Sequence, residues 1–364
     1  MKAINRLIQY FTAVIFIISG AVKLNDPYGT AIKLHEYFEV FSSDFTPLFE
    51  YLVPFSLFFS VFLSTFEIVL GIALLIGWRQ KLTLKLLAAM VVFFGFLTFY
   101  SAYFNKVTDC GCFGDAIKFT PWQSFGKDML LAVFIFYLIF VKDIGKILSV
   151  PARGAIVALS TVACLFMAYY AIEHLPFVDF RPYKVGANIP TDMQPSEPFR
   201  YAYTMEKNGK KEVFENYPTD TTYKFVSMDL LNPEAQPKIL DYSIWNDDGD
   251  FTAYTFDGAK LLVIINRVEE SDLHALPQIK ALVDEVREEA EPLLLTSSTT
   301  EQLDPVRHEY QLDFPFFFGD DTVLKTIIRS NPGIVLMKDG TILGKWHYND
   351  TPEKEDILEL INNS

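Results

Sequence analysis

The chain of 364 residues is 51% hydrophobic and 15% aromatic, with 34 Phe and a mean hydropathy of +0.21, too apolar for an ordinary soluble enzyme. Residues 1–180 carry 13 Lys and Arg against 12 Asp and Glu, whereas residues 181–364 carry 18 against 33, a net charge of −15. A near-neutral greasy half and an acidic half belong in different solvents; the acidic half lacks the basic stripe that nucleic acid needs, and three Cys exclude a disulfide-stapled mini-protein.

Spanning a bilayer takes about 20 mostly apolar residues, because a helix in lipid must satisfy its own backbone. Five segments qualify: Leu7–Leu24, Leu52–Trp78, Leu82–Phe104, Trp122–Val141 and Ala155–Leu175. The first lacks a small-residue cleavage site and reads as a retained span, not a signal peptide. Lys2, Arg6, Arg79, Lys81, Lys85, Lys142, Lys146 and Arg153 all fall on one side. The other side has an acidic loop of 27 residues with Glu36, Glu39, Asp44 and Glu50, and a short loop in which Lys106 and Lys118 balance Asp109 and Asp115. Positive charge marks the cytoplasmic face. Five spans then predict a bacterial inner-membrane protein with a cytoplasmic amino terminus and an acidic periplasmic region.

The most chemically specific feature is Asp109-Cys110-Gly111-Cys112-Phe113-Gly114-Asp115, in the second outward loop. Two thiols separated by one glycine can close a small, strained ring, and strain makes a disulfide easier to exchange. Cys110 and Cys112 are therefore the candidate catalytic residues. Two plainer readings stand beside this one. Zn would need two more ligands, for which His35 and His174 are the nearby histidines; simple structural cysteines are the other. Cys164, within the fifth span, reads as a small buried hydrophobe.

At this point the residues resemble a family. Ser19-Gly20-Ala21-Val22-Lys23-Leu24-Asn25-Asp26-Pro27 is similar to the DoxX superfamily, as is Glu67 within Phe66-Glu67-Ile68-Val69-Leu70-Gly71. Cys110-Gly111-Cys112-Phe113-Gly114 resembles the MauE branch of that superfamily, and the resemblance covers about residues 1–145. It implies a four-helix membrane bundle engaged in disulfide formation or thiol transfer for exported partners. The same bundle is likened to quinone-linked enzymes that make disulfides, which suggests a quinone as cofactor. The fifth span and the long tail depart from the minimal family member.

Ionisable groups within spans are expensive and should face the bundle interior. Glu67 lies near the middle of the second span, Lys23 at the outer end of the first, and Lys127 and Asp128 about two turns into the fourth. Lys23, Glu67 and Asp128 are read either as a polar cavity under the Cys loop, holding a quinone headgroup or relaying protons, or as a structural interhelical pair. Lys23 could also snorkel.

After the fifth span, Pro176, Pro182, Pro190, Pro195 and Pro198 mark an irregular linker. Alternation around Tyr201–Tyr203, Lys211–Phe214 and Thr222–Val226 predicts a small antiparallel sheet. Next come a hairpin over Asp241–Tyr254, a buried strand at Lys260–Ile265, a helix over Ser271–Glu289 and a strand at Pro292–Thr296. A hairpin of Gly333–Met337 with Thr341–Trp346, and a helix over Glu353–Asn362, complete the pattern. That order, with Pro332 before the hairpin, resembles a TlpA/ResA-type thioredoxin-like domain over about residues 238–364. The resemblance implies a cis bond at Pro332. Where that family has its Cys-x-x-Cys, this chain has Glu269 and Asp272, and no Cys follows Cys164. Those acidic side chains are expected to cap the helix that starts there, and Pro332 is the expected partner-binding position, through backbone pairing. His274 and His308 read as helix-surface residues.

The predicted fold is thus an α-helical transmembrane bundle (DoxX/MauE-like, a four-helix core plus a fifth span) followed by an α/β thioredoxin-like extracytoplasmic domain. Its divisions are 1–150, 151–180, 181–237 and 238–364. Two functions follow. In one, Cys110 and Cys112 exchange disulfides with exported partners. In the other, a non-enzymatic assembly factor displays a peptide-binding thioredoxin-like domain that has lost its cysteines. Neither needs a metal. A third, solute transport, has only Glu67 and Asp128 in its favour.

Overall fold

The computed structural model describes residues 2–107, 114, 116–117, 119–141 and 149–364. The chain divides at Phe180/Arg181 into two compact units. Five helices of the first unit are long and apolar enough to cross a membrane: α1 (Lys2–Asn25), α3 (Ser56–Ile76), α4 (Gln80–Phe104), α5 (Pro121–Phe140) and α6 (Val150–Glu173). Contacts such as Gly20 with Ser64, Gly71 with Ala13, Asn25 with Val178 and Arg153 with Gly77 make successive spans run in opposite directions, so Asn25, Ser56, Phe104, Pro121 and Glu173 share one end of the bundle.

One expectation is corrected at that end. The acidic stretch after the first span is not a loop; it holds helix α2 (Pro27–Asp44) and the 3-10 segment Pro47–Phe55. The Asp26 carboxylate accepts the Gly29 N–H at 2.9 Å, and Pro27 occupies the first turn, where its missing N–H costs nothing. At the start of α5, Thr120 and Gln123 form a reciprocal capping box around Pro121. The bundle core is filled by Phe16, Leu70, Leu74, Leu87 and Ile135, drawn from four helices. Cys164 is buried beside Leu24, Ile68 and Ala168, as a small hydrophobe would be.

The closest helix approach is between α1 and α3. A Cβ on Gly20 would stand 2.7 Å from Ile68 Cγ1 and 2.8 Å from the Ser64 carbonyl; one on Gly71 would stand 2.8 Å from Ile17 Cγ1 and 2.9 Å from the Ala13 carbonyl. Hydrogen at these two positions lets the backbones pack directly, which is how helices associate where the lipid tails are as apolar as the side chains.

The second unit opens with a linker whose residues 186–189 lie along a strand edge described below, and whose four-residue turn α7 is Ile189–Asp192. Strands β1 (Tyr201–Lys207), β2 (Lys210–Phe214) and β3 (Lys224–Leu230) form an antiparallel sheet in the order β2-β1-β3. A seven-stranded sheet follows, built from β4 (Ile244–Asn246), β5 (Gly249–Asp250), β6 (Ala259–Ile264), β7 (Glu291–Thr296), β8 (Phe316–Gly319), β9 (Gly333–Lys338) and β10 (Thr341–His347). Its order is β10-β9-β6-β7-β8-β4-β5, with β6, β7 and β8 parallel and β9 antiparallel to β6. Helices α8 (Leu276–Val286), α9 (Thr300–Glu309), α10 (Asp321–Ile327) and α11 (Lys354–Asn362) complete a mixed α/β domain. Its core packs Leu261, Val263, Ile279, Val283 and Leu294 with Ile357 of α11.

Three details differ from the sequence reading. The hairpin over 241–254 shrinks to β4 and β5, because Thr252 Oγ1 accepts the Ile244 N–H and the chain turns into a 3-10 segment at Ala253–Phe256. The helix expected from Ser271 begins at Leu276, since Pro277 can stand only in a first turn. Helices α9 and α10 and strand β8 had no counterpart in the pattern. The Asn331–Pro332 peptide bond is cis, as the resemblance implied.

The α1/α3 contact gives a first prediction. Gly20→Leu forces the two helices apart and destabilises the bundle by about 1–3 kcal/mol or more. It is checked by thermal unfolding of the purified chain against Ala89→Leu, a helix-α4 substitution outside this contact; equal melting of the two variants overturns it.

Candidate functional site

Lys23 and Glu67 meet where glycine lets α1 and α3 touch. The Lys23 ammonium donates to both Glu67 oxygens at 2.9 Å, and the two side chains are only 8% and 4% exposed. A helical side chain tilts toward its own amino terminus, so Lys23, two residues from the end of α1, reaches back into the bundle rather than out of it. The snorkelling alternative is therefore not what the structure shows. Ser19 Oγ lies 3.4 Å from Glu67 Oε1, and the Phe94 ring of α4 lies 4.4 Å from the ammonium, a cation–π contact.

Phe94 leads to a second buried carboxylate. One turn along α4, Thr98 Oγ1 lies 3.0 Å from the Phe94 carbonyl and donates at 3.0 Å to Asp128 Oδ2 of α5; Lys127 donates to Asp128 Oδ1 at 2.6 Å. Asp128 is buried. Lys23, Glu67 and Asp128, far apart in sequence, thus belong to one connected polar seam across α1, α3, α4 and α5. Sequence reasoning missed Thr98 and Phe94. The signal for Thr98 was a hydroxyl within the apolar stretch Met90–Phe99 of α4.

Cys110 and Cys112 lie outside the described residues. The described residues on either side of them are anchored at the Asn25 end of the bundle. Val107 packs against the Tyr37, Phe41, Leu97 and Tyr100 cluster. Lys106 donates to Asp44 Oδ1 at 2.7 Å, and Tyr100 also donates to Asp44. The Lys106 hydrogen bond, then that of Tyr100, holds the Asp44 carboxyl below the usual carboxylate range. Gly114, at φ +51°, approaches α1 so closely that a Cβ would stand 3.3 Å from Val22, the neighbour of Lys23. His35, one of the two histidines considered as metal ligands, lies 3.1 Å from Glu39 Oε1, and the His174 ring packs on Tyr170.

In the α/β domain, the positions that replace a Cys-x-x-Cys are structural. Asp272 Oδ1 accepts the His274 N–H at 3.2 Å and so caps the single 3-10 turn Leu273–Ala275, not α8 itself. Glu269 caps no helix and accepts from Gln302 Nε2 of α9 at 2.9 Å. The expectation that both cap the helix is corrected in these two respects. Beside Pro332, the Asn331 carbonyl accepts the Asp272 N–H at 2.9 Å, and the Asn331 side chain donates to the Arg267 carbonyl and accepts from the Asn266 N–H. His274 and His308 are exposed.

Below these turns, at the carboxyl ends of β6, β7 and β8, Arg267 grips Asp321 with two hydrogen bonds of 2.9 and 3.0 Å; Asn266 and Lys325 add bonds of 2.9 and 3.1 Å. Burial pushes the Asp321 carboxyl up, but Lys325, Asn266 and Arg267 outweigh it and hold it below the usual range.

Comparison with known proteins follows the same division. Residues 1–141 match the model for "Methylamine utilisation protein MauE". Residues 199–230, the three-stranded sheet, match a "Domain of unknown function (DUF8463)". "Protein TlpB" of Flavobacterium psychrophilum is 31% identical over 139 residues, which is 37% of this chain and 36% of that protein, so the match spans little more than a third of the relative. No solved structure matches.

Two predictions follow. Breaking a buried ion pair by removing one partner costs about 3–5 kcal/mol, while replacing both by apolar residues costs less. Lys23→Met and Glu67→Leu should therefore each lower the melting temperature of the purified chain more than the double variant does. Equal losses in all three would mean that the pair is not coupled. Asp321 contributes stability that is fully present above its unfolded value near 3.9 and is lost as pH falls through its lower folded value. Circular dichroism at falling pH should show that Asp321→Asn removes part of the wild type's loss of α/β stability below about pH 4. An unchanged pH profile would contradict this.

Proposed function

We propose that this chain is a membrane-anchored thiol–disulfide protein of the cell envelope, DoxX/MauE-like in its bundle and thioredoxin-like in its tail. In this reading it lies in the bacterial inner membrane with its amino terminus cytoplasmic and its acidic domain periplasmic. The charge asymmetry of the loops and the odd number of spans support that orientation.

The observation that carries the redox reading is that the chain's one pair of neighbouring thiols lies within the MauE-matched residues, in a loop whose described flanks, Val107 and Gly114, are fixed at one end of the bundle. The thiolate of one Cys attacks a partner disulfide, forming a mixed disulfide and expelling one partner thiolate. The second Cys then attacks the mixed disulfide, closing Cys110–Cys112 and expelling the other sulfur of that bond. The pair is oxidised, the partner is reduced, and the two thiol protons end on the partner's sulfurs; the reverse sequence oxidises a client. This exchange balances without a cofactor. Toward the bundle's Asn25 end, Lys23, Lys127 and Thr98 are engaged with Glu67 or Asp128.

A second reading is favoured by the α/β domain, whose cysteine positions are Glu269 and Asp272, tied into structural contacts. Here the domain works by holding a partner protein rather than by chemistry.

Thiol alkylation in intact cells tests the first reading. Cys110 and Cys112 should be found partly oxidised, and replacing either with Ser should trap a mixed disulfide through the other. The redox reading fails if both thiols are always reduced and the double Ser variant leaves envelope disulfides unchanged.

A further inference from the structure

The strongest unassigned feature is the three-stranded sheet. The register pairs Tyr203 with Phe214 on one side and with Met228 on the other, and Met205 with Phe225, which gathers these residues on one face. The opposite face carries Ala202, Thr204, Val213, Ser227 and Asp229, with Glu206 and Lys211, while Glu212 lies across from Met205 on the first face. Loop aromatics cover part of this face: Tyr217 stands against Tyr203 at 5.4 Å, and Tyr223 against Phe214 at 5.1 Å. Toward β3 the face is bare, with Phe225 55% and Met228 51% exposed.

The two edges of this sheet differ. Strand β2 is five residues long and opens with Lys210 and Lys211, the guard that natural edges use against pairing. Strand β3 is seven residues long, pairs among the described residues with β1 alone, and presents Phe225, Val226 and Met228, with one charge at Lys224 and one at Asp229. Its pairing with β1 slips once, at Val226. In an antiparallel strand every second residue turns its N–H and C=O away from the neighbour, so the outer side of β3 offers unused main-chain donors and acceptors beside an apolar face.

Charge narrows the partner. Residues 199–230 hold five Lys and Arg and five Asp and Glu, whereas residues 181–364 as a whole hold 18 and 33. The sheet is a neutral island on an acidic domain, which repels an acidic segment and draws a basic one. At the other candidate docking position, the Asn331 carbonyl beside Pro332 accepts the Asp272 N–H.

From this we infer that the free edge of β3 is a docking site for an extended segment of a partner protein. The segment adds as a fourth antiparallel strand, with apolar side chains alternating beside Phe225 and Met228 and Lys or Arg rather than Asp or Glu on its other face. The inference rests on the second reading above and gives it an address. Main-chain pairing supplies affinity, and the alternate side chains supply selectivity.

The test uses the full-length chain in detergent and a fluorescein-labelled peptide of nine residues that alternates Val or Tyr with Thr or Lys. Fluorescence anisotropy should saturate with a Kd below about 100 μM. Phe225→Lys with Met228→Lys should weaken binding about tenfold or more, whereas Val213→Lys, on guarded β2, should not. N-methylation of the peptide at alternate residues provides a check that requires no variant to fold: one phase of methylation should abolish binding and the other should spare it. Absence of saturable binding, indifference to the methylation phase, or self-association of the chain through β3 overturns the site. In cells, if deletion of residues 181–364 leaves function intact, the holding reading itself fails. If that deletion abolishes function but the peptide does not bind, only the β3 address fails.

Discussion

An ammonium and a carboxylate facing each other in an apolar bundle set the terms for the first unit. Either charge alone is a heavy burden in that medium, so the helices must meet wherever the two can neutralise each other. Gly20 and Gly71 make that meeting possible, because a Cβ at either would stand within 2.9 Å of the facing helix. Ser19, Lys23 and Glu67 then fall into one small volume. A motif that reads in sequence as scattered small and charged residues is in space a single joint between two helices.

The seam continues through Phe94 and Thr98 to Asp128, joining four helices by contacts only a side chain or two long. Its place toward the Asn25 end is where the described flanks of the Cys-Gly-Cys stretch are also fixed. Joint and flanks share α1: a Cβ on Gly114 would stand 3.3 Å from Val22, and Lys23 is the next residue. A charged joint in lipid gives that end of the bundle a firm base.

How far the sequence revealed this depends on which physical constraint governed each segment. The spans were legible, because lipid forces backbone self-sufficiency over a fixed length. Glu67 and Asp128 were legible as costly residues, but their partners were not, since residues 44 or 30 positions apart carry no mutual signal. Helix α2 was hidden by its amphipathic, acidic composition, although Asp26-Pro27 announced its start. Helix α9 was masked by Pro305 and a polar run, and α10 is too short to show a period. In the α/β domain the β-branched and leucine-rich strands β6, β7 and β9 stood out because both faces are buried. The aromatic run around Phe316–Gly319 gave no such alternation.

The linker illustrates one more consequence. The Gly186 N–H donates to the Ile342 carbonyl, the Ile342 N–H to the Ala187 carbonyl, and the Ile189 N–H to the Gly340 carbonyl, so the first residues of the outermost strand β10 are covered by the linker. A protease cutting just before Pro182 would release a fragment that still carries this cover. Shed in that way, the piece would keep the turn end of that border closed to stacking with neighbours.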